Sequence, residues 1–338
     1  MNENQSHTDD HYHFIDQTLH RFDAAEGLVQ PGHALRERVY LTNDAPGPLP
    51  FAAHDALPWM RKHIRTALDA VTAARTLGVH HMGWQIADAT FPALRTYCLY
   101  SISDLIHDWG AECARACNDT DAEARMLTSG GLMRLDPGQH HKALENFERA
   151  AELFHRSDNQ LGAARTLNYK GLAHIGLGDT KRARTFFAAA VKQCTQVGDA
   201  RTAALARLNL AEIHLGHQRY DLARQDATAA DDVLTQHRDE LNSARAQIVT
   251  ARAHTGLGNL DQADQCLAVA VTVLARLGSS IDRASLHRTR ADIAQRRAQQ
   301  HTKRDANELD AALLRQMAFE IYAALNVPSP RWTSIYPK

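Results

Sequence analysis

The 338-residue sequence predicts an all-α solenoid of 40-residue helix–turn–helix repeats, preceded by a non-repeating helical block and closed by a C-terminal capping helix. Three observations predict it. Small residues return at 40-residue steps: Ala143, Ala183, Ala223, Ala263, then Ala150, Ala190, Ala230, Ala270, and Gly131, Gly171, Ala211, Ala251, Ala291. Bulkier and turn-forming positions keep the same register, as Phe147, Phe187, Ala227, Leu267 and as Gly138, Gly178, Gln218, Gly258. No alternating β-branched run competes with helical periodicity. Self-similarity at a fixed period of this size is the mark of stacked helical units.

In chain order, residues 1–10 are expected to be disordered. A helical block then occupies 11–120. Its first helix, 11–29, carries Phe14, Thr18, Leu19, Phe22 and Leu28 on roughly one side. A loop at 42–54 interrupts the block, because TNDAPGPLP at 42–50 holds three prolines that a helix interior rejects. A helix follows from Asp55, a capping residue with Pro58 in the first turn, to Leu77-Gly78. Two more helices are expected at about 79–97 and 100–117.

The repeats span 121–304. In one unit, helix A covers roughly 161–176, with Gly178 supplying the left-handed residue that a helix C-terminus favours, and helix B covers roughly 180–197 and stops at Gly198-Asp199. Residues 305–325 form the capping helix, with Asp305 and Glu308 spaced as a capping box. Its Leu309, Leu313, Met317, Ile321 and Leu325 are expected to cover the last apolar surface of the stack. The tail, 326–338, is expected to be extended.

The spacing Gly171, Ala183, Phe187, Ala190 is the tetratricopeptide pattern of small residue, alanine, aromatic and alanine. Tetratricopeptide units usually run ~34 residues and HEAT or armadillo units ~40–47, so a HEAT-like stack is the fold alternative. Trp59, Trp84, Leu144, Phe147, Phe154, Leu167, Gly171, Leu172, Gly178 and Asp179 carry a further likeness. Together with the stretches HDALPWMRKHIRTALDAV and ALENFERAAELFHRSDNQLGAARTLNYKGLAHIGLGD, they resemble the sensor half of actinobacterial STAND regulators, including the large Streptomyces antibiotic regulatory proteins. The resemblance covers about residues 10–295 and implies a partner-sensing regulator. The sequence carries no G-x-x-x-x-G-K-[ST] phosphate loop, so the ATPase of that family is not carried over. Nor is its DNA-binding domain.

A formal net charge of -1 argues against a global field for nucleic acid or membrane. No apolar run reaches the ~18 residues of a membrane span, and the polar N-terminus has no apolar signal region, so a cytoplasmic protein is expected. Five scattered cysteines read as free thiols in a reducing compartment.

The expected function is non-catalytic binding of a protein or peptide in the concave groove lined by the A helices. Arg125, Arg165 and Arg245 share a repeat position there, with Asn168 and Asn209 close to the same face. Guanidinium groups suit a ligand carboxylate, although Leu205 breaks the row. Arg252 stands one 40-step from Glu212, close enough to pair between repeats.

His174, His214 and His254 form a further 40-step ladder. Repeats ~10 Å apart cannot bring three imidazoles to the ~2.0–2.1 Å that zinc requires, so packing is favoured over ligation. No metal and no cofactor is expected. Cys113 and Cys117 at i, i+4 lack a matching ligand pair.

Two other classes stay open. One is an enzyme on a helical scaffold, using Trp59, Trp84, Tyr97, Tyr100 and Trp109 to line a pocket. The other is nucleic-acid binding through 281–304, which holds seven Lys/Arg against two acids but lacks interleaved aromatics. Open end repeats also offer a surface for self-association.

Overall fold

The computed structural model describes residues 3–29, 38–42, 49–277, 280–300 and 304–324. Among them are fifteen α-helices, one 3-10 turn at Ala53–Asp55 and no strand. The contacts group into two compact units, Met1–Thr166 and Leu167–Lys338.

The first unit contains α1 (Glu3–Val29), α2 (Ala56–Lys62), α3 (Ile64–Thr76), α4 (His80–Thr96), α5 (Tyr100–Ala116), α6 (Thr120–Leu135) and α7 (His140–Arg156). The boundary falls within α8 (Gln160–Gly176). The second unit continues with α9 (Thr180–Gln196), α10 (Ala200–Gly216), α11 (Tyr220–Gln236), α12 (Glu240–Leu257), α13 (Leu260–Leu277), α14 (Ser280–Gln300) and α15 (Arg304–Ala324).

From His80 onward, helices start every 20 residues up to Ser280. The punctuation that enforces this is local. The left-handed residues Gly78, Cys98, Asn118, Gly138, Asp158, Gly178, Gly198, Gln218, Arg238 and Gly258 recur at the same step. After the left-handed residue, the next N–H reaches back to the last helical turn: Asp179 N to His174 O at 2.9 Å, Asp199 N to Cys194 O at 2.8 Å, Asp239 N to Leu234 O at 2.9 Å. This is the Schellman arrangement, which satisfies carbonyls the helix leaves open. That same following residue often caps the next helix. Asp119, Asn159, Asp179, Asp199 and Asp239 accept from the backbone N–H three residues on, at 2.8–3.3 Å.

The structure departs from the sequence expectations at several places. α1 begins at Glu3, inside the stretch 1–10 expected to be disordered, since no proline or glycine breaks the chain between 3 and 26. Its buried stripe is Ile15, Leu19, Phe22 and Ala25, while Leu28 is exposed. The helix expected from Asp55 to Leu77 breaks at His63, whose backbone leaves helical geometry. α4 and α5 obey the 20-residue step, so the repeat register starts 41 residues ahead of the expected position 121. Their Ser103, His107 and Gly110 replace the Ala, Phe and Ala of later units, which hides them from a search for recurring residues.

The capping helix α15 packs on α14. Small side chains make that contact: Ala311 and Ala318 of α15 and Ala284, Ala291 and Ala298 of α14 are buried. Close helix approach through alanines turns Leu309, Leu313 and Met317 outward, against expectation. Leu325, the side chain of Asp305 and the tail 326–338 lie outside the described residues.

Within each pair, volume is traded across the A–B contact. Phe147 and Phe187 are fully buried, and a Cβ built on Gly131 or Gly171 would come within 2.6 Å or 2.4 Å of those rings. Where helix B carries Ala227 or Leu267, helix A has room for Ala211 or Ala251.

Candidate functional site

The A helices α4, α6, α8, α10, α12 and α14 carry the residues expected to bind. Within each unit neighbouring A helices touch: α4 with α6, α10 with α12, and α12 with α14. Their polar side chains are cross-linked along these contacts. In the first unit, the Arg125 guanidinium of α6 donates to both oxygens of Asp88 on α4, at 2.9 and 2.7 Å.

In the second unit, Asn209 Nδ2 donates to Asn168 Oδ1 at 2.9 Å. Arg252 donates to both oxygens of Glu212 at 2.8 and 2.7 Å. Arg245 grips Asp282 at 2.7 and 3.1 Å and also reaches Asn242 Oδ1 at 2.9 Å. Arg201 meets Asp239 at 2.5 Å. Arg165 is half-buried on α8.

The six candidates are divided between the two units. Arg125 and Arg165 belong to the first unit, and Asn168, Asn209, Arg245 and Arg252 form an extended row in the second. Sequence spacing anticipated the Glu212–Arg252 pair, whereas the partners of Arg125 and Arg245 are acids 37 residues away on the adjacent A helix. These are partly buried, bidentate pairs, stronger than exposed single contacts. Chemically the row offers amides that donate and accept, guanidinium groups and carboxylates, all suited to the backbone and charged side chains of another polypeptide.

The densest polar site was not visible in the sequence. In the first unit, the non-helical segment 38–42 lies against α1 and α4. Arg38 donates to Asp23 at 3.1 Å, Glu26 at 2.6 Å and Asp88 at 3.0 Å. Only 4% of its side chain is exposed. Burial works against the cation, but Asp88, Glu26 and Asp23 outweigh it and hold the guanidinium pKa above its ordinary value. Tyr40 donates to Asp23 at 2.6 Å and stacks on His20 at 3.8 Å. Burial first, then the bond to Asp23, keeps its phenol protonated. The only sequence trace of this site was the spacing Asp16, His20, Asp23 on one face of α1, shifted by one from the apolar stripe.

The histidine ladder sits at the C-terminal turn of successive A helices. His174 stacks on Phe186 at 5.2 Å, and His214 lies 3.6 Å from Asp226. Burial pushes the pKa of His214 and His254 down, which favours neutral packed rings. Among the described residues no group of three His, Cys, Asp or Glu is placed to hold a metal. None of the five cysteines forms a disulfide, and burial pushes the Cys113 thiol up to about 12.

The aromatic residues offered for an enzymatic pocket pack against their neighbours. Trp59 contacts Phe22 at 5.2 Å and Phe51 at 4.7 Å, Arg61 covers Tyr97, and Arg75 covers Trp109. An open depression lies instead at the helix turns, lined by Cys117, Asn118, Asp119, Ser157 and Asn159 among others. In the basic stretch 281–304, Arg297 is neutralised by Asp261 at 2.8 Å and Asp264 at 2.7 Å. No helix among the described residues is long and apolar enough to cross a membrane.

Comparison with known proteins agrees with this geometry. The tetratricopeptide repeat family profile matches residues 123–196. No curated protein matches the sequence. Among solved structures, the Rap protein complexed with Competence and Sporulation Factor superposes with a TM-score of 0.59 at 11% identity, over 95% of this chain and 99% of that one. Apo RapI gives 0.58 at 14% identity, over 80% and 97%. The Rap conjugation gene regulator of plasmid pLS20, in complex with the Phr* peptide, gives 0.56 at 12% identity, over 96% and 98%. At these identities the likeness is one of fold: the chain is built as a tetratricopeptide-like α-solenoid.

Proposed function

We propose that the chain is a non-catalytic, regulatory module that binds a protein or peptide through the polar faces of its A helices. The carrying observation is the row Asn168–Asn209, Glu212–Arg252 and Arg245–Asp282 on consecutive A helices. Such a row presents paired donors and acceptors at steps an extended backbone can follow. Arg125, Arg165, Asn168, Asn209, Arg245 and Arg252 are the binding residues of this reading. A ligand carboxylate would compete with Asp282 or Glu212 for the guanidinium groups, and a ligand backbone would exchange with the Asn168–Asn209 amide pair.

Support comes from two structural neighbours, Rap proteins in complex with a factor and with a peptide. The matched family describes an interaction repeat and indicates no catalytic chemistry. In this reading the module forms the sensing side of a cytosolic regulatory system, its output supplied by a partner, and the sequence resemblance to STAND regulators supports it. The test is retention of partners from native cytosol by the tagged full-length chain, against an Asn168→Ala/Asn209→Ala variant and an Arg165→Ala/Arg245→Ala variant. A partner held by the wild type and lost by either variant, with melting unchanged, supports the reading. Equal retention by all three removes the A-helix row from it.

A further inference from the structure

Residues 38–42 are held as a bound peptide would be. The segment is neither helix nor strand and bends at Leu41, whose side chain packs with Tyr40 against the core of the unit. Arg38, Tyr40 and Thr42 turn to the acids of α1, whereas Val39 is 57% exposed. One side-chain amide reads the backbone at two points. Gln85 Oε1 accepts from Val39 N at 2.7 Å, and Gln85 Nε2 donates to Val39 O at 2.9 Å. Gln85 is itself oriented by a bond to His81 O and is 1% exposed.

Asp16 supplies a second clamp. Its Oδ1 accepts from Leu41 N at 2.7 Å, and its Oδ2 accepts from the Thr42 hydroxyl at 2.7 Å. Backbone clamps give affinity without regard to sequence, and pockets for alternate side chains give specificity. Here the specific pocket is acidic. Asp23, Glu26 and Asp88 surround the Arg38 guanidinium, and the latter two side chains are 0% and 3% exposed. Buried carboxylates demand a cation with several donors in a fixed fork, which is arginine rather than lysine.

The groups that hold the segment sit on helices anchored by other contacts. Ile15, Leu19, Phe22 and Ala25 seat α1 in the core of the first unit along a stripe next to its acids, and Met82, Ile86 and Ala89 seat α4 there. The groove therefore has its own support and can exchange its occupant.

We propose that the groove between α1 and α4 is a recognition site for a non-helical, arginine-bearing polypeptide segment. Residues 38–42 are its occupant in cis, and a partner segment of the same chemistry displaces them. This rests on the reading of the chain as a peptide-binding module, and names the ligand chemistry and the control of one site.

The probe is the acetylated, amidated pentapeptide Arg-Val-Tyr-Leu-Thr, fluorescently labelled for anisotropy. The full-length Arg38→Ala chain should bind it about tenfold or more tightly than the wild type, whose site is filled. A probe with Gln in place of Arg should lose a similar factor. In the wild-type chain, excess probe should speed hydrogen exchange at the Val39 and Leu41 amides and leave the interior amides of α1 protected.

Absence of probe binding to an Arg38→Ala chain that melts like the wild type overturns the proposal. So does binding that ignores the probe's arginine. If Arg38→Ala fails to fold, the wild-type exchange measurement decides: unchanged Val39 and Leu41 amides at saturating probe overturn it. A chain that ignores the probe yet retains partners through α10 and α12 loses this proposal and keeps the wider reading.

Discussion

The α4–α5 pair and the α8–α9 pair share one backbone plan and fill it oppositely. In α9, Ala183, Phe187 and Ala190 are fully buried, and Phe187 presses into the space left by Gly171 of α8. In α5, the same positions are Ser103, His107 and Gly110, and Phe91 takes the α4 position. The large ring has moved to helix A, and an imidazole replaces the phenyl on helix B. His107 is fully buried, with Nδ1 2.9 Å from Ser103 Oγ and 3.0 Å from Ser103 O, its ring edge-on to Phe91 at 6.0 Å. Its Nε2 has no hydrogen-bond partner among the described residues. The helices of both pairs end on left-handed residues at the 20-residue step, Cys98 and Asn118 against Gly178 and Gly198. Turn geometry, rather than any particular core residue, keeps the register.

Four changes break or sharpen this contrast. The largest effect is expected at the aromatic plug. Phe187→Ala should cost about 3–5 kcal/mol, because the cavity beside Gly171 cannot collapse between two helix backbones. Urea unfolding at neutral pH measures it.

The second concerns His107. Burial lowers its pKa to about 4 in the folded chain, against the ordinary 6.5 of a solvated imidazole. Between those values the unfolded chain binds the extra proton, so stability is complete above pH 6.5 and falls as pH drops toward 4. The loss is about 3 kcal/mol at most from this group. His107→Gln should flatten that part of the pH profile of melting, and an unchanged slope would reassign it to other groups. His214, His254 and His287, whose pKa values burial also lowers, act in the same direction.

Third, Gly171→Ala should destabilise by about 1–3 kcal/mol despite alanine's better helix propensity, since the new methyl meets a fixed ring. The double variant Gly171→Ala/Phe187→Leu should recover part of that loss. It imitates the Ala251–Leu267 solution of a later pair, and a double-variant cycle reads the coupling. The smallest effect has the opposite sign. Gln218 and Arg238 hold positive φ angles of 57° and 54° without being glycine. Gln218→Gly should raise stability by about 1 kcal/mol, seen as a higher melting temperature.

The 40-residue period, the helical class, and the glycine and aspartate punctuation were legible because each depends on a local rule: a residue that tolerates positive φ, or an oxygen that caps an N–H. Gly138, Gly178 and Gly258 marked turns in this way, while Cys98, Asn118, Asp158 and Arg238 did the same work without a glycine's signature. The pair α4–α5 stayed hidden because its core residues exchange size and polarity while keeping position. Spacing placed Arg125, Arg245 and Arg252 on one type of helix, and it anticipated the Glu212–Arg252 pair because that pair keeps the repeat step.

By itself, then, the sequence determined period, class and helix ends, all of them short-range. Only the tertiary structure decided which acid each arginine meets, which face of α15 is covered, and that Arg38 is buried among Asp23, Glu26 and Asp88. Those outcomes depend on the lateral placement of helices tens of residues apart. In such a site the balance between desolvating a charge and pairing it is settled by distance and burial, which no run of residues encodes locally.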